Sequence, residues 1–247
     1  MNSKPTKTDS IFYGDSAEQH LSLTGPAEPA SPRGGIVALI HGGYWRSTLS
    51  AALMEPLAES LVRNGWMVAN IEYRRGAEGR WPAPLDDCRE ALAFVGKIRR
   101  DREIPGPLIS IGHSVGGQLA LLTANAVDAV VALAPVTDVE RTYNEGLGED
   151  AASEYFESPP AKAPEIYNEA SPIRQLPIDG PVLLIHGIND ARVPIEHSRA
   201  YLGAAQATGS AVQLFEHEGL GHREAIDSTA VHWAGVLAWM NALAAAQ

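Results

Sequence analysis

The chain has 247 residues, 45% of them hydrophobic and 20% charged, and 19 Lys and Arg against 30 Asp and Glu leave a formal net charge of −11. That composition excludes collagen-like, coiled-coil and mainly disordered chains, and the acidic balance argues against a protein that tracks nucleic-acid phosphates. A lone cysteine, Cys88, excludes an internal disulfide and a multi-cysteine metal site. A chain of this length can bury a sizeable core as one domain without such staples.

Met1 to Thr8 is polar and leads into no apolar run, so no secretory signal is expected. No stretch approaches the roughly 18 consecutive apolar residues of a spanning helix, and a cytoplasmic protein is expected. Gln19 to Leu23 alternates polar and apolar, as an antiparallel edge strand would. Ile36 to Ile40 is continuously aliphatic, the pattern of a strand buried on both faces of a parallel sheet. Ser50 to Arg63 has helical spacing through Leu53, Leu57, Leu61 and Val62, and Asn64-Gly65 stops it. Trp66 to Tyr73 reads as a strand, and Leu85 to Arg99 as a helix with Leu92, Val95 and Ile98 inward and Cys88 a buried, inert thiol. Leu108 to Gly112 is a strand, Gly116 to Ala126 a small-residue helix, and Ala129 to Ala134 a strand again.

The segment from Val136 to Asp179 breaks this rhythm with five prolines and four aromatics, Tyr143, Tyr155, Phe156 and Tyr167. Strand Val182 to Ile185, a helix over Glu196 to Ala207, strand Val212 to Phe215 and a terminal helix from Glu224 to Ala245 follow. The alternation predicts an α/β fold with a doubly wound, mostly parallel sheet in one domain over residues 1–247. Residues 137–178 are then a lid insertion above the carboxyl ends of the strands, where such sheets bind ligands. The insertion carries nine acidic and three basic residues.

Gly112-His113-Ser114-Val115-Gly116 follows an apolar strand and opens a helix. In that context G-x-S-x-G is a nucleophile elbow, a turn too tight for side chains at its two glycines, and Ser114 is the candidate nucleophile. His41-Gly42-Gly43-Tyr44-Trp45 follows the first parallel strand, and its glycines free backbone N–H groups to face a ligand. Acyl transfer needs such donors at the developing oxyanion, so the amides of Gly43, Tyr44 and Val115 are the candidate oxyanion hole. Ser114 needs a base and the base an orienting carboxylate. His222, in the glycine-flanked loop after the last strand, is the candidate base with His217 as its rival. Asp190, in the loop after Ile185, is the candidate acid with Asp138 as its rival. The chain order Ser114, Asp190, His222 is that of the elbow-bearing hydrolases. Trp45, Tyr143, Tyr155 and Phe156 are candidates for the walls of the substrate pocket. No H-E-x-x-H, C-x-x-C or phosphate-loop motif is present, so zincin, zinc-ribbon and phosphate-loop readings lack support.

From Gly34 onward the chain resembles the α/β-hydrolase superfamily. Its His41-Gly42-Gly43-Tyr44-Trp45 block is similar to the H-G-G-x-W signature of the kynurenine formamidase (arylformamidase) and esterase group. The resemblance implies Ser114, Asp190 and His222 as triad, Gly43, Tyr44 and Val115 as oxyanion donors, and no cofactor or metal. The expected reaction is hydrolysis of a small-molecule carboxylic ester or N-formyl aryl amide, with an acyltransferase, a lyase or a ligand-sensing protein of the same fold as alternatives. Neither a nucleic-acid nor a membrane partner is expected, and the oligomeric state stays open, a homodimer included.

Overall fold

The computed structural model describes residues 6–7, 10–26 and 34–246, and most of Met1 to Thr8 lies outside them. Among the described residues, nine strands form one sheet: β1 (Thr6–Lys7), β2 (Ile11–Phe12), β3 (His20–Gly25), β4 (Ile36–Ile40), β5 (Met67–Ile71), β6 (Leu108–His113), β7 (Ala129–Leu133), β8 (Val182–Gly187) and β9 (Val212–His217). The helices are α1 (Glu55–Arg63), α2 (Ala83–Asp101), α3 (Val115–Leu122), α4 (Val139–Asn144), α5 (Leu147–Phe156), α6 (Pro164–Ala170), α7 (Glu196–Thr208) and α8 (Trp233–Ala245). Strand order is β1-β3-β5-β4-β6-β7-β8-β9, with β2 also paired to β3. Every pair from β5 across to β9 is parallel, and β3 joins β5 antiparallel.

All five residues of β4 are buried, as its unbroken aliphatic run requires. Its side chains divide by parity, because successive residues of a strand point to opposite faces. Ile36, Ala38 and Ile40 pack with Leu92 of α2 and Leu119 of α3. Val37 and Leu39 pack on the other face with Leu61 of α1 and Met240 of α8. Helix α2 turns Leu85, Cys88, Leu92 and Val95 inward, at helical spacing. Each fully buried Leu or Ile in these layers contributes about 1.5–3 kcal/mol.

The Gln19–Leu23 segment is indeed antiparallel, but its strand runs His20–Gly25 and is flanked by β1 and β2, so it is not the sheet edge. The terminal helix begins at Trp233 rather than Glu224. Arg223–Ile226 forms only a 3-10 turn, and Asp227 then accepts from the amide of Thr229 at 2.9 Å, a local bond that competes with helix continuation. Among the described residues, no helix is long and apolar enough to cross a membrane.

The parallel strands end on one side, so the loops after β4, β6, β8 and β9 meet there. The insertion between β7 and β8 supplies α4, α5 and α6 beside them. Buried His197 at the start of α7 roots that insertion. Its Nδ1 accepts from the amides of Thr137 at 3.3 Å and Asp138 at 3.4 Å, and its carbonyl accepts from Thr137 Oγ1 at 2.7 Å. Burial, and then the nearby Arg141 charge, push His197 from 6.5 down to about 3. The unfolded chain therefore binds more protons than the folded one between those values, and folding stability falls as pH drops from 6.5 toward 3. Urea unfolding is expected to give a lower midpoint at pH 5 than at pH 7. His197→Asn, which keeps an acceptor but not the titration, is expected to shrink that difference.

Candidate active site

Ser114 stands between β6 and α3 with φ 56° and ψ −118°, a conformation that costs a non-glycine residue roughly 1–3 kcal/mol. Three hydrogen bonds hold it there. Its amide donates to Leu133 O at 2.9 Å, and its carbonyl accepts from Gln118 N at 3.1 Å and Val136 N at 3.2 Å. The turn is as close as the sequence requires: a Cβ on Gly112 would collide with the carbonyl oxygen of Gly116, and one on Gly116 with that of Ile40. Ser114 thus faces a cavity of about 400 Å³, which His222, Gly43 and Tyr44 also line.

Asp190 lies in the loop after β8 and divides its two oxygens. Oδ1 accepts from the amides of Arg192 at 2.8 Å and Val193 at 3.1 Å, so the loop itself orients the carboxylate. Oδ2 accepts from His222 Nδ1 at 2.7 Å, which leaves His222 Nε2 as the acceptor nitrogen. Burial alone would raise the Asp190 carboxyl. Hydrogen bonds from His186 and His222 and the Arg192 amide outweigh it and hold the group well below the usual carboxylate range. His186 is fixed in turn by Ser198 Oγ at 2.7 Å and Val193 O at 2.9 Å. Among the described residues, no hydrogen bond joins Ser114 Oγ to His222 in this arrangement.

His113 supports the His222 loop. Its ring lies 4.7 Å from that of His222, and its Nε2–H donates to the His222 carbonyl at 2.9 Å. Burial, and then the neighbouring His222, push it down to about 3, so it is neutral at pH 7 and suited to that donor role. The rivals lie elsewhere. His217 ends β9 with its ring 5.6 Å from His232 and does not line the cavity. Asp138 caps α4, its Oδ1 accepting from the Arg141 amide at 3.0 Å.

The loop after β4 carries the other candidate donors. Gly43 has φ 143°, which side-chain-bearing residues rarely adopt. The amides of Gly43, Tyr44 and Val115 bond to no acceptor among the described residues, and Val115 opens α3. A buried network beneath positions this loop. Tyr73 donates its hydroxyl to His41 O at 2.7 Å, and the two rings stack at 4.5 Å. His41 Nε2 lies 3.0 Å from Glu72 Oε1, Glu72 Oε2 accepts from Ala51 N at 2.9 Å, and Arg75 pairs with Glu72 while donating to Leu49 O at 2.8 Å. Burial disfavours the Glu72 charge, but these partners more than offset it and lower its pKa.

Four expected pocket walls are not walls of this cavity. Trp45 is 1% exposed, donates Nε1–H to Gln118 Oε1 at 3.0 Å and stacks on Tyr155 at 5.6 Å. Tyr155 is buried too, its hydroxyl donating to Gly79 O at 2.6 Å, and Phe156 packs edge-on against Trp45. Tyr143 packs against Tyr167 at 5.8 Å. These aromatics pack the insertion onto the core together with buried Val139, Ala151, Ala152 and Ala170. The walls are instead Leu49, Leu53 and Thr48, with Arg46, Arg192, Arg223 and Glu149 around them. Sequence reading missed Leu49, Leu53, Glu149 and Arg223. The usable signal was position alone: Arg223 follows His222, and Leu49 and Leu53 follow the glycine loop. Among the described residues, no group of three or more His, Cys, Asp and Glu is placed to hold a metal ion.

The family model of the prolyl oligopeptidase family (Peptidase_S9) matches residues 87–246, nearly two thirds of the chain and the part that holds Ser114, Asp190 and His222. The chain belongs to that family. A second model, BD-FAE, matches residues 21–128, which include the glycine loop. Among curated proteins, Esterase LipC of Mycobacterium tuberculosis is 27% identical over 241 residues, covering 86% of this chain and 58% of that protein. Isoprenylcysteine alpha-carbonyl methylesterase ICME of Arabidopsis thaliana is 24% identical, covering 87% of this chain and 56% of that protein. The chain thus spans a little over half the length of these relatives. Among solved structures, a truncated carbohydrate esterase from gut microbiota superposes with a TM-score of 0.86 at 20% identity over 99% of this chain and 98% of that one. Esterase B from Lactobacillus rhamnosus superposes at 0.83 and 20% identity, over 98% of this chain and 87% of that one. At that identity the likeness concerns the fold, which is the α/β-hydrolase fold.

Trp45 gives the sharpest test of the aromatic assignment. Trp45→Ala is expected to cost about 3–5 kcal/mol of folding stability, as truncation of a fully buried tryptophan does. Chemical denaturation measures it. An intact stability with a raised KM would return Trp45 to the pocket wall.

Proposed function

We propose that this protein is a serine hydrolase that cleaves small carboxylic esters and N-formyl aryl amides through an acyl-enzyme. The observation that carries the reading is the 2.7 Å bond from His222 Nδ1 to Asp190, made at the cavity that Ser114 enters from its strained turn. His222 Nε2 takes the Ser114 proton as Oγ attacks the acyl carbon, and the tetrahedral oxygen collects charge. The amides of Gly43, Tyr44 and Val115 stabilise that charge. Collapse expels the alcohol or amine, protonated by His222, and water repeats the steps to release the acid. Asp190 stays ionised throughout, because it is already held well below the usual carboxylate range.

A cavity of about 400 Å³ suits a short acyl group on a compact leaving group and cannot desolvate long chains. Aryl acetates fit this description, and an N-formyl arylamine such as N-formyl-kynurenine is the amide counterpart that the glycine loop's resemblance brings. The esterase names of the relatives support the ester arm.

Turnover of 4-nitrophenyl acetate and covalent labelling by a fluorophosphonate are expected in the wild type and absent in Ser114→Ala. Labelling that survives in that variant would place the nucleophile elsewhere. Asp190→Asn is expected to fold and to lose about 10⁴ in kcat, since the imidazole then loses its tautomer control. In a chain-length series of aryl esters, activity is expected to peak at four carbons or fewer. A maximum at eight carbons or more would overturn the small-pocket reading.

A further inference from the structure

The protein carries a formal charge of −11, yet the rim of its Ser114 cavity is cationic. Arg46 comes from the loop after β4, Arg192 from the loop after β8 and Arg223 from the position beside His222, and all line this cavity. Glu149 is the acid set among them. It bridges the first two, one oxygen to each: Oε2 lies 3.4 Å from Arg46 Nη1 and Oε1 3.2 Å from Arg192 Nη1. Arg223 forms no ion pair among the described residues and is exposed. Two guanidinium groups sharing one carboxylate make the arrangement expected of a bound carboxylate ligand.

We propose that Arg46 and Arg192 form a subsite for a carboxylate on the substrate, and that Glu149 occupies it in the resting protein as an internal stand-in which the substrate displaces. The proposal rests on the hydrolase reading above and names the charge class of its substrates.

The Arg46 guanidinium and the Arg192 backbone are held in place without Glu149. Arg46 donates to Glu154 from Nε at 2.8 Å and from Nη2 at 2.6 Å. The Arg192 backbone is tied to Asp190 through its amide at 2.8 Å, and its carbonyl accepts from the Tyr44 hydroxyl at 2.5 Å. Glu149 is held more weakly. It is 74% exposed, and ion pairs so wetted contribute little. Its backbone also sits at φ 55°, inside a left-handed stretch from Gly148 to Asp150 at the start of α5, where Arg46 Nη2 donates to its carbonyl at 3.1 Å. Departure of this side chain therefore sacrifices little, and it uncovers an Arg46 still oriented by Glu154 and an Arg192 whose backbone is fixed at the cavity that Ser114 lines. With Glu149 withdrawn, the rim presents Arg46, Arg192 and Arg223 to an incoming anion, and low-dielectric walls focus such a field.

The test reads binding and turnover separately. Benzoate and its neutral isostere benzamide are titrated calorimetrically into the wild type, Glu149→Gln and Arg192→Gln. Benzoate is expected to bind more tightly than benzamide, at least fivefold more tightly still in Glu149→Gln, and at least fivefold more weakly in Arg192→Gln, with the difference shrinking in 0.5 M salt. Turnover is compared for 4-acetoxybenzoate against 4-acetoxybenzamide, which puts the charge on the leaving group. The hemisuccinate and butyrate esters of 4-nitrophenol put it on the acyl group. In at least one pair, the anionic-to-neutral ratio of kcat/KM is expected to rise in Glu149→Gln and fall in Arg192→Gln. Benzoate binding that ignores both substitutions, or that weakens in Glu149→Gln, overturns the subsite. If benzoate behaves as expected while no ester is turned over, the subsite stands and the hydrolase reading fails.

Discussion

Gly116 approaches the carbonyl of Ile40 so closely that no side chain could intervene, and Gly112 approaches Gly116 in the same way. This contact between the end of β6, the start of α3 and the neighbouring strand governs the rest of the site. It holds Ser114 at a positive φ, on the wall of the cavity. It also places the first amide of α3 alongside the loop after β4, so that candidate nucleophile and candidate oxyanion donors come from one packing event. Strain in one residue is sustained because the surrounding backbone supplies three hydrogen bonds to it.

Charge around the site is sorted by depth. Below the glycine loop lie Glu72 and Arg75, an ion pair buried but fully hydrogen-bonded, which avoids the large penalty of an unpaired buried charge. At the level of the chemistry, Asp190 is ionised and His113 neutral, set apart by hydrogen bonds in one case and burial in the other. At the rim the charges are partly to largely exposed, as in the pairs that Arg46 and Arg192 make with Glu149. Deep charges therefore position backbone, whereas those at the rim pair with one another around the mouth of the cavity.

The insertion after β7 shows how an aromatic-rich segment can be read wrongly. Its rings suggested walls for a substrate, because flat apolar groups beside a catalytic loop commonly serve that purpose. Their actual neighbours are each other and Trp45. Beside the His197 hydrogen bonds, a cluster of stacked, edge-on and tilted rings helps fix the insertion's short helices to the core. Among the described residues of the insertion, Glu149 lines the cavity, and its neighbour Gly148 abuts the Tyr44 ring.

Local pattern was enough for the parallel strands of the sheet, though not for β1 and β2 beside β3. The unbroken run Ile36–Ile40, the alternation of strand and helix, and the glycine pair at 112 and 116 each obey short-range rules of pleat, period and steric exclusion, which act within a few residues. The order Ser114, Asp190, His222 was legible for the same reason, since each residue follows a strand that the sequence reveals. Tertiary structure alone decided what meets across the strands. Trp45 finding Gln118, Glu72 lying under the glycine loop, and Arg46 and Arg192 converging on Glu149 involve partners separated by dozens of residues. Such pairings leave no periodic trace in the chain, because they are set by how rigid elements dock, and docking depends on the whole packed surface rather than on any one segment.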